Sequence, residues 1–230
     1  MAPRIALALA IHNHQPVGNF GWVFAEVFDQ AYAPMVDALG RHPGVRVALH
    51  YTGPLLEWLS AERPSFVEDL RALVARGQVE LMGGGLYEPI LASLPERDRV
   101  AQLARMADRI EDFGGRRPHG AWLAERVWEP DLPTALAEAG YDWTILDDAH
   151  FRAASIAEEN LWGAYTTEDQ GRPLRAGGPR RPGPPHPSRG DPPDRGHRRL
   201  GAPPGGGGGG GEPGRGQPVL RRGAAGRRGR

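Results

Sequence analysis

The segment Trp122-Leu123-Ala124-Glu125-Arg126-Val127-Trp128 sets a carboxylate beside a guanidinium and between two indoles. Sugars suit such a setting, because their faces of C–H bonds pack on aromatic rings while their hydroxyls need charged partners. An arginine within a few ångströms would hold Glu125 ionised and therefore nucleophilic. Retaining cleavage of a glycosidic bond needs a second carboxyl group about 5–5.5 Å from the first: one attacks the anomeric carbon, the other donates and then recovers a proton. Glu125 is a clear candidate for the attacking role. The sequence offers no obvious partner for it.

Other polar residues fall at the ends of apolar runs. His12 and His14 follow the first run, His50 the second; Glu80 lies within the third and Glu88 beyond it; Asp147, Asp148 and His150 follow the fifth. In a parallel β/α barrel the catalytic groups stand at the carboxyl ends of the strands. Singly, His50 also reads as a hydrogen-bonded core residue, and Asp147 and Asp148 as caps of the next segment.

The elements that must hold these groups are legible. Strands are predicted at Ile5–Ile11, Val45–His50, Val79–Met82, Gly120–Leu123 and Thr144–Leu146. Helical patterns lie between them, at Val23–Leu39 and at Pro64–Arg76. A third helix has Ser93 as cap, Pro95 in its first turn and Glu96 three residues after the cap, and it runs to Phe113 before Gly114-Gly115. A fourth spans Leu132–Ala139. This alternation predicts βα units around a parallel sheet, an α/β fold in which five strands leave the barrel incomplete. Runs this apolar need cover on both faces.

With 230 residues the chain is shorter than the roughly 250 of a complete eight-fold barrel. The absence of cysteine excludes disulfides and thiolate metal sites and leaves the cytoplasm as the default. Ile5–Ile11 runs into His12-Asn13-His14, not a cleavage site, so it reads as a strand and not as a signal peptide. No apolar run approaches the roughly 20 residues of a membrane span.

The net charge of zero conceals a split. Residues 1–171 hold 14 arginines against 25 acidic residues, whereas 172–230 hold 14 arginines against Asp191, Asp194 and Glu212. There is no lysine. From Ala176 onward Gly, Pro and Arg dominate, with only Leu200, Val219 and Leu220 as large aliphatic side chains. Such a stretch cannot bury enough apolar area to offset its ordering entropy, so a disordered tail over 173–230 is expected after a partial barrel over 1–172.

Longer motifs carry a family likeness. His12-Asn13-His14-Gln15-Pro16-Val17-Gly18-Asn19-Phe20-Gly21-Trp22, Gly53-Pro54-Leu55-Leu56-Glu57-Trp58, Gly83-Gly84-Gly85-Leu86-Tyr87-Glu88-Pro89 and Trp122-Leu123-Ala124-Glu125-Arg126-Val127-Trp128-Glu129-Pro130 resemble the amino-terminal catalytic domain of glycoside hydrolase family 57. The likeness is greatest to its 4-α-glucanotransferases, also described as α-amylases. It implies a seven-stranded β/α barrel, a retaining mechanism on α-1,4-glucans or maltooligosaccharides, and neither catalytic metal nor cofactor. By position, Glu125 matches the nucleophile. His12, His14, Glu80 and Trp122 match residues lining the donor-sugar subsite, and Glu88, Trp128 and Asp147 are further candidates for that pocket. The resemblance also implies an acid/base aspartate on a later strand, in a His-Asp-Asp-Gly-Glu-like segment, which this sequence lacks. The chain alone is therefore expected to have little or no activity. The composition break near Leu174–Gly177 suits a slip of reading frame in GC-rich DNA, testable by translating the other two frames.

Two rival readings remain. His12-x-His14 places two imidazoles on one face of a strand end, a common start to a divalent-metal site, and His50 or His150 could complete it for a metal-dependent hydrolase or deacetylase. The Arg/Gly-rich tail could bind nucleic acid without sequence preference and in a salt-sensitive way, as an RNA-binding arm.

Overall fold

The computed structural model describes residues 7–161 and 163–177, together with the backbone of Arg221 and Arg222. Strands β1 (Ala10–Asn13), β2 (Val47–Tyr51), β3 (Val79–Gly84), β4 (Gly120–Trp122), β5 (Trp143–Ile145), β6 (Ala164–Asp169), β7 (Arg172–Gly177) and β8 (Arg221–Arg222) form one sheet in the order β1-β2-β3-β4-β5-β7-β6-β8. From β1 to β5 and on to β7 all neighbours are parallel; β6 runs antiparallel to β7 and β8. The α/β class with a mostly parallel sheet is as expected. Among the described residues β1 pairs with β2 alone, so the sheet is open at that edge.

Helices α1 (Gly21–Val27), α2 (Ala33–Arg41), α3 (Gly53–Glu62), α4 (Pro64–Ala75), α5 (Glu96–Gly114), α6 (Leu132–Glu138) and α7 (Asp148–Ala153) connect the strands. A π-helical turn, Phe28–Tyr32, joins α1 to α2. Helix α5 shows why the sequence folds as it does. Leu103, Met106, Ala107, Ile110 and Phe113 recur at helical spacing and are buried. Met106 and Ile110 belong to an apolar core with Leu49, Leu55, Leu59 and Leu70, while Leu103 and Ala107 belong to a second core with Ala121, Leu136, Leu146 and Leu174. One helix thus knits both halves of the sheet. It stops where Gly115 takes a left-handed conformation at φ 77° and its N–H bonds the Glu111 carbonyl.

Several expectations are corrected. β1 starts at Ala10 and extends to Asn13, so His12 stands inside the strand and not after it. Ser93 does not cap α5: its hydroxyl donates to the Ile90 carbonyl, and Pro95 takes the cap position. Helix α3 was not among the helices expected from the sequence; Pro54 is well suited to a helix start, and Leu55, Leu56 and Leu59 bury beneath it. The ordered chain also passes the expected boundary at 172. β7 pairs with β5 and β6 up to Gly177, with Leu174 and Ala176 buried, and it follows β6 through a tight turn in which Gln170 and Gly171 both have positive φ. Apart from Arg221 and Arg222, the tail beyond Gly177, with the disorder and nucleic-acid binding expected of it, lies outside the described residues.

Candidate active site

The carboxyl ends of β1 to β5 converge on one group of side chains. β1 and β2 are in register, with His12 opposite His50, and the two rings stack at 4.9 Å between centroids. Their Nδ1 atoms lie 2.8 Å apart, a hydrogen bond carrying a single proton. On its other nitrogen His12 Nε2 meets Glu88 Oε1 at 3.1 Å, and His14 Nδ1 bonds the second oxygen of the same carboxylate. Trp122, from the end of β4, stacks on His12 at 4.6 Å and 13°.

The loop after β1 is held from below. The Thr52 hydroxyl accepts from the Gln15 N–H and donates to the Gln15 carbonyl, Gln15 Nε2 donates to Tyr32, and the Tyr32 hydroxyl donates to the His14 carbonyl. Gln15, Thr52 and Asn13 are buried, which explains polar residues in the middle of the His12–Trp22 motif. Gly84 ends β3 where no side chain fits: a Cβ there would lie 2.5 Å from the Trp122 carbonyl and 3.4 Å from His50 Nε2.

Glu125 follows β4 on a short 3₁₀ turn, solvent-exposed at φ 50°, and Arg126 is left-handed too at φ 54°. Glu88 also has a positive φ, 54°. Left-handed backbone at residues with side chains costs of order 1–3 kcal/mol each and clusters where function requires it. The 125–126 turn is clamped from β5 and α7: Arg126 Nε donates to Asp147 at 2.7 Å, and His150 Nε2 donates to the Arg126 carbonyl at 3.0 Å. The guanidinium also sits 5.7 Å above the Trp122 ring.

Burial lowers the pKa of His12; Glu88 and Glu125 oppose that, while His14 and Arg126 add to it. His50 is pushed well below the ordinary histidine range, first by complete burial and then by His12 and His14, so it is neutral.

The structure therefore gathers His12, His14, Glu88, Trp122, Glu125 and Asp147 at one end of the sheet, with His50 beneath them. It does not bring in Glu80. That residue is the second of β3, roughly 13 Å before the strand's carboxyl end at 3.3 Å per residue, and it lines a groove with Gly77, Arg116 and His119 at the opposite end of the sheet. Trp128 is half-buried and packs on the second core. Arg126 pairs with Asp147 and not with Glu125, so the expected ion pair beside Glu125 is absent among the described residues. His12, His14 and Glu88 offer three ligand atoms within 4.8 Å of one another, enough for a divalent cation. The additional metal ligands expected from His50 and His150 do not join them, since those rings serve His12 and the Arg126 carbonyl.

Comparison with known proteins identifies the chain's relatives. The chain is 46% identical over 171 residues to an α-amylase of Pyrococcus furiosus, covering 74% of this chain and 26% of that protein. It is 44% identical over 168 residues to a 4-α-glucanotransferase of Thermococcus litoralis, covering 73% and 25%. The crystal structure of 4-α-glucanotransferase from Thermococcus litoralis superposes with a TM-score of 0.71 at 42% identity, over 74% of this chain and 27% of that one. The chain thus spans about a quarter of the length of the curated relatives it matches. Among the described residues no helix is long and apolar enough to cross a membrane. The description "Glycosyl hydrolase family 57" matches residues 8–176, a stretch that ends inside the 174–177 window where the composition changes. With nearly three quarters of its length matched and every motif of the gathered site inside the match, the chain belongs to glycosyl hydrolase family 57.

Proposed function

We propose that the chain supplies the nucleophile half of a retaining site for α-1,4-glucans, in an α-amylase or 4-α-glucanotransferase. Glu125 attacks the anomeric carbon of an α-linked glucose unit, the bond to the leaving sugar oxygen breaks, and water or another sugar hydroxyl later releases the glycosyl group from Glu125. His12, His14 and Glu88 bind hydroxyls of the unit under attack, while Trp122 holds His12 in place and Asp147 holds the turn. The observation that carries this reading is an exposed carboxylate on a strained turn, beside a cluster of hydrogen-bonding groups, in a chain with these relatives.

Among the described residues the carboxylates flanking Glu125 do not supply the proton donor. Glu88 accepts from two histidines and Asp147 from Arg126, so neither flanking carboxylate is free to protonate a leaving group. Losing the acid typically costs 10²–10⁴-fold, so natural glucans do not isolate the step at Glu125. A fluorinated α-maltosyl fluoride tests the nucleophile separately, since fluoride leaves without a proton. Glu125 should acquire one glycosyl unit, located by peptide mass spectrometry, and Glu125→Gln should acquire none. Labelling of another residue, or equal labelling of the variant, sinks the reading.

A second reading, a divalent cation on His12, His14 and Glu88, is favoured by their ligand atoms lying within 4.8 Å of one another. Zinc bound one to one by the purified chain would support it.

A further inference from the structure

We propose that His50 is a positioning residue: it donates a proton from its Nδ1 to the Nδ1 of His12 and thereby fixes His12 with its own proton on Nε2, directed at Glu88. This deepens the reading of the site given above and rests on it.

The argument is a proton count. The two Nδ1 atoms at 2.8 Å share one hydrogen. A neutral His50 has one N–H to place, on Nδ1 or on Nε2. His50 Nε2 is buried and finds no hydrogen-bond partner among the described residues. The Nδ1 bond forms either way, but a proton on Nε2 would make that atom an orphaned buried donor, whereas a proton on Nδ1 leaves it an orphaned acceptor, the less rare of the two in folded proteins. Glu88 agrees from the other side. If His12 carried its proton on Nδ1, its Nε2 lone pair would face the Glu88 carboxylate oxygen at 3.1 Å, and a charge-assisted bond would become a repulsion. Both ends of the chain select one arrangement: His50 Nδ1–H to His12 Nδ1, then His12 Nε2–H to Glu88.

Two consequences follow for the chemistry. His12 and His14 face Glu88 as donors and leave an ionised carboxylate between them, an array suited to exchanging hydrogen bonds with sugar hydroxyls. The same arrangement resists a metal, which needs the His12 Nε2 lone pair. Freeing that lone pair would move the His12 proton to Nδ1 and force the His50 proton onto its partnerless Nε2. His50 thus acts in specificity, keeping three well-placed ligand atoms as a hydrogen-bonding site.

The side-chain ¹⁵N spectrum of the full 230-residue chain, without substrate, reads the tautomer directly. We expect His12 as the Nε2–H form in the natural sequence, and a mixture of both forms in His50→Leu, with zinc bound roughly tenfold more tightly by that variant, the worth of one buried hydrogen bond. In His50→Asn the amide nitrogen can take the place of Nδ1 and should restore both the Nε2–H signature and the weak zinc binding. His12 found as Nδ1–H in the natural chain overturns the proposal. So does a His12 tautomer unchanged in His50→Leu, which would assign the control to Glu88 alone, or an Asn variant that binds zinc as tightly as the Leu variant. If the Leu variant does not fold, the natural chain and the Asn variant still decide. None of these readouts involves labelling of Glu125, so this inference and the nucleophile assignment stand or fall separately.

Discussion

The Nε of Arg126 donates to Oδ1 of Asp147 at 2.7 Å, and so the guanidinium next to Glu125 in sequence is held by a different carboxylate in space. Its role is therefore to fix the 125–126 turn, not to neutralise Glu125. Both partners are about a third exposed or more, so the pair itself contributes at most about 1 kcal/mol of stability. Asp147→Ala should accordingly shift the urea midpoint very little, while glycosyl labelling of Glu125 slows by about tenfold or more, because small misplacements of a reacting atom are costly. A variant that unfolds early yet labels at the original rate would mean that the pair serves the fold alone.

The left-handed backbone at Glu125 leads to a stability–function trade. An L-residue there costs roughly 1–2 kcal/mol, which glycine avoids while giving up about 0.5–1 kcal/mol of chain entropy. Glu125→Gly should therefore be as stable as the natural chain or more stable by up to about 1 kcal/mol in urea unfolding, and should take no label. Marked destabilisation would identify the side chain as a structural anchor and remove the argument that strain is tolerated there for chemistry.

Much of this site was legible in the sequence, and the reasons for the gaps are physical. Strand periodicity located β2 to β5 to within a few residues because each is an apolar run bounded by turn residues, and Glu125 stood out because nothing structural calls for a carboxylate between Trp122 and Trp128. Glu80 was misread because alternation gives the face of a strand but not the depth: Glu80, Met82 and Gly84 share a face, and only the last reaches the site. Glu88, four residues beyond β3, was harder to place because its reach depends on the positive φ it adopts, and no residue type announces that conformation outside glycine. The same holds for Arg126, whose left-handed turn sends it to Asp147. His50 also reads as a hydrogen-bonded core residue, and it is a buried ring bonded to His12.

Gly84 marks where three strands meet too closely for a side chain. A methyl group there would lie 2.5 Å from the Trp122 carbonyl, a backbone atom that cannot swing aside. Gly84→Ala should cost about 1–3 kcal/mol through overpacking and displace the indole that stacks on His12. The checks are the urea midpoint and the fluorescence of the chain, with Gly44→Ala, in open space, as the control. Equal behaviour of the two variants would show that the β3–β4 contact is looser than described.

The buried histidines set the direction of the pH dependence. Burial holds His50 well below, and His12 below, the ordinary value of about 6.5, so the unfolded chain binds protons more readily than the folded one once the pH falls through that value. Stability contributed by their neutral forms is complete above about pH 6.5 and declines as the pH drops toward the folded values, by up to about 1.4 kcal/mol per pH unit for each ring. His12 should contribute the smaller share, since Glu88 and Glu125 both favour its charged form. Urea midpoints measured between pH 7.5 and 5, roughly spanning that window, should fall, and His50→Leu should flatten the decline by removing the ring with the larger depression. A midpoint that rises on acidification, or a Leu variant with an undiminished slope, would place the titrating group elsewhere and leave the neutral His50 without support.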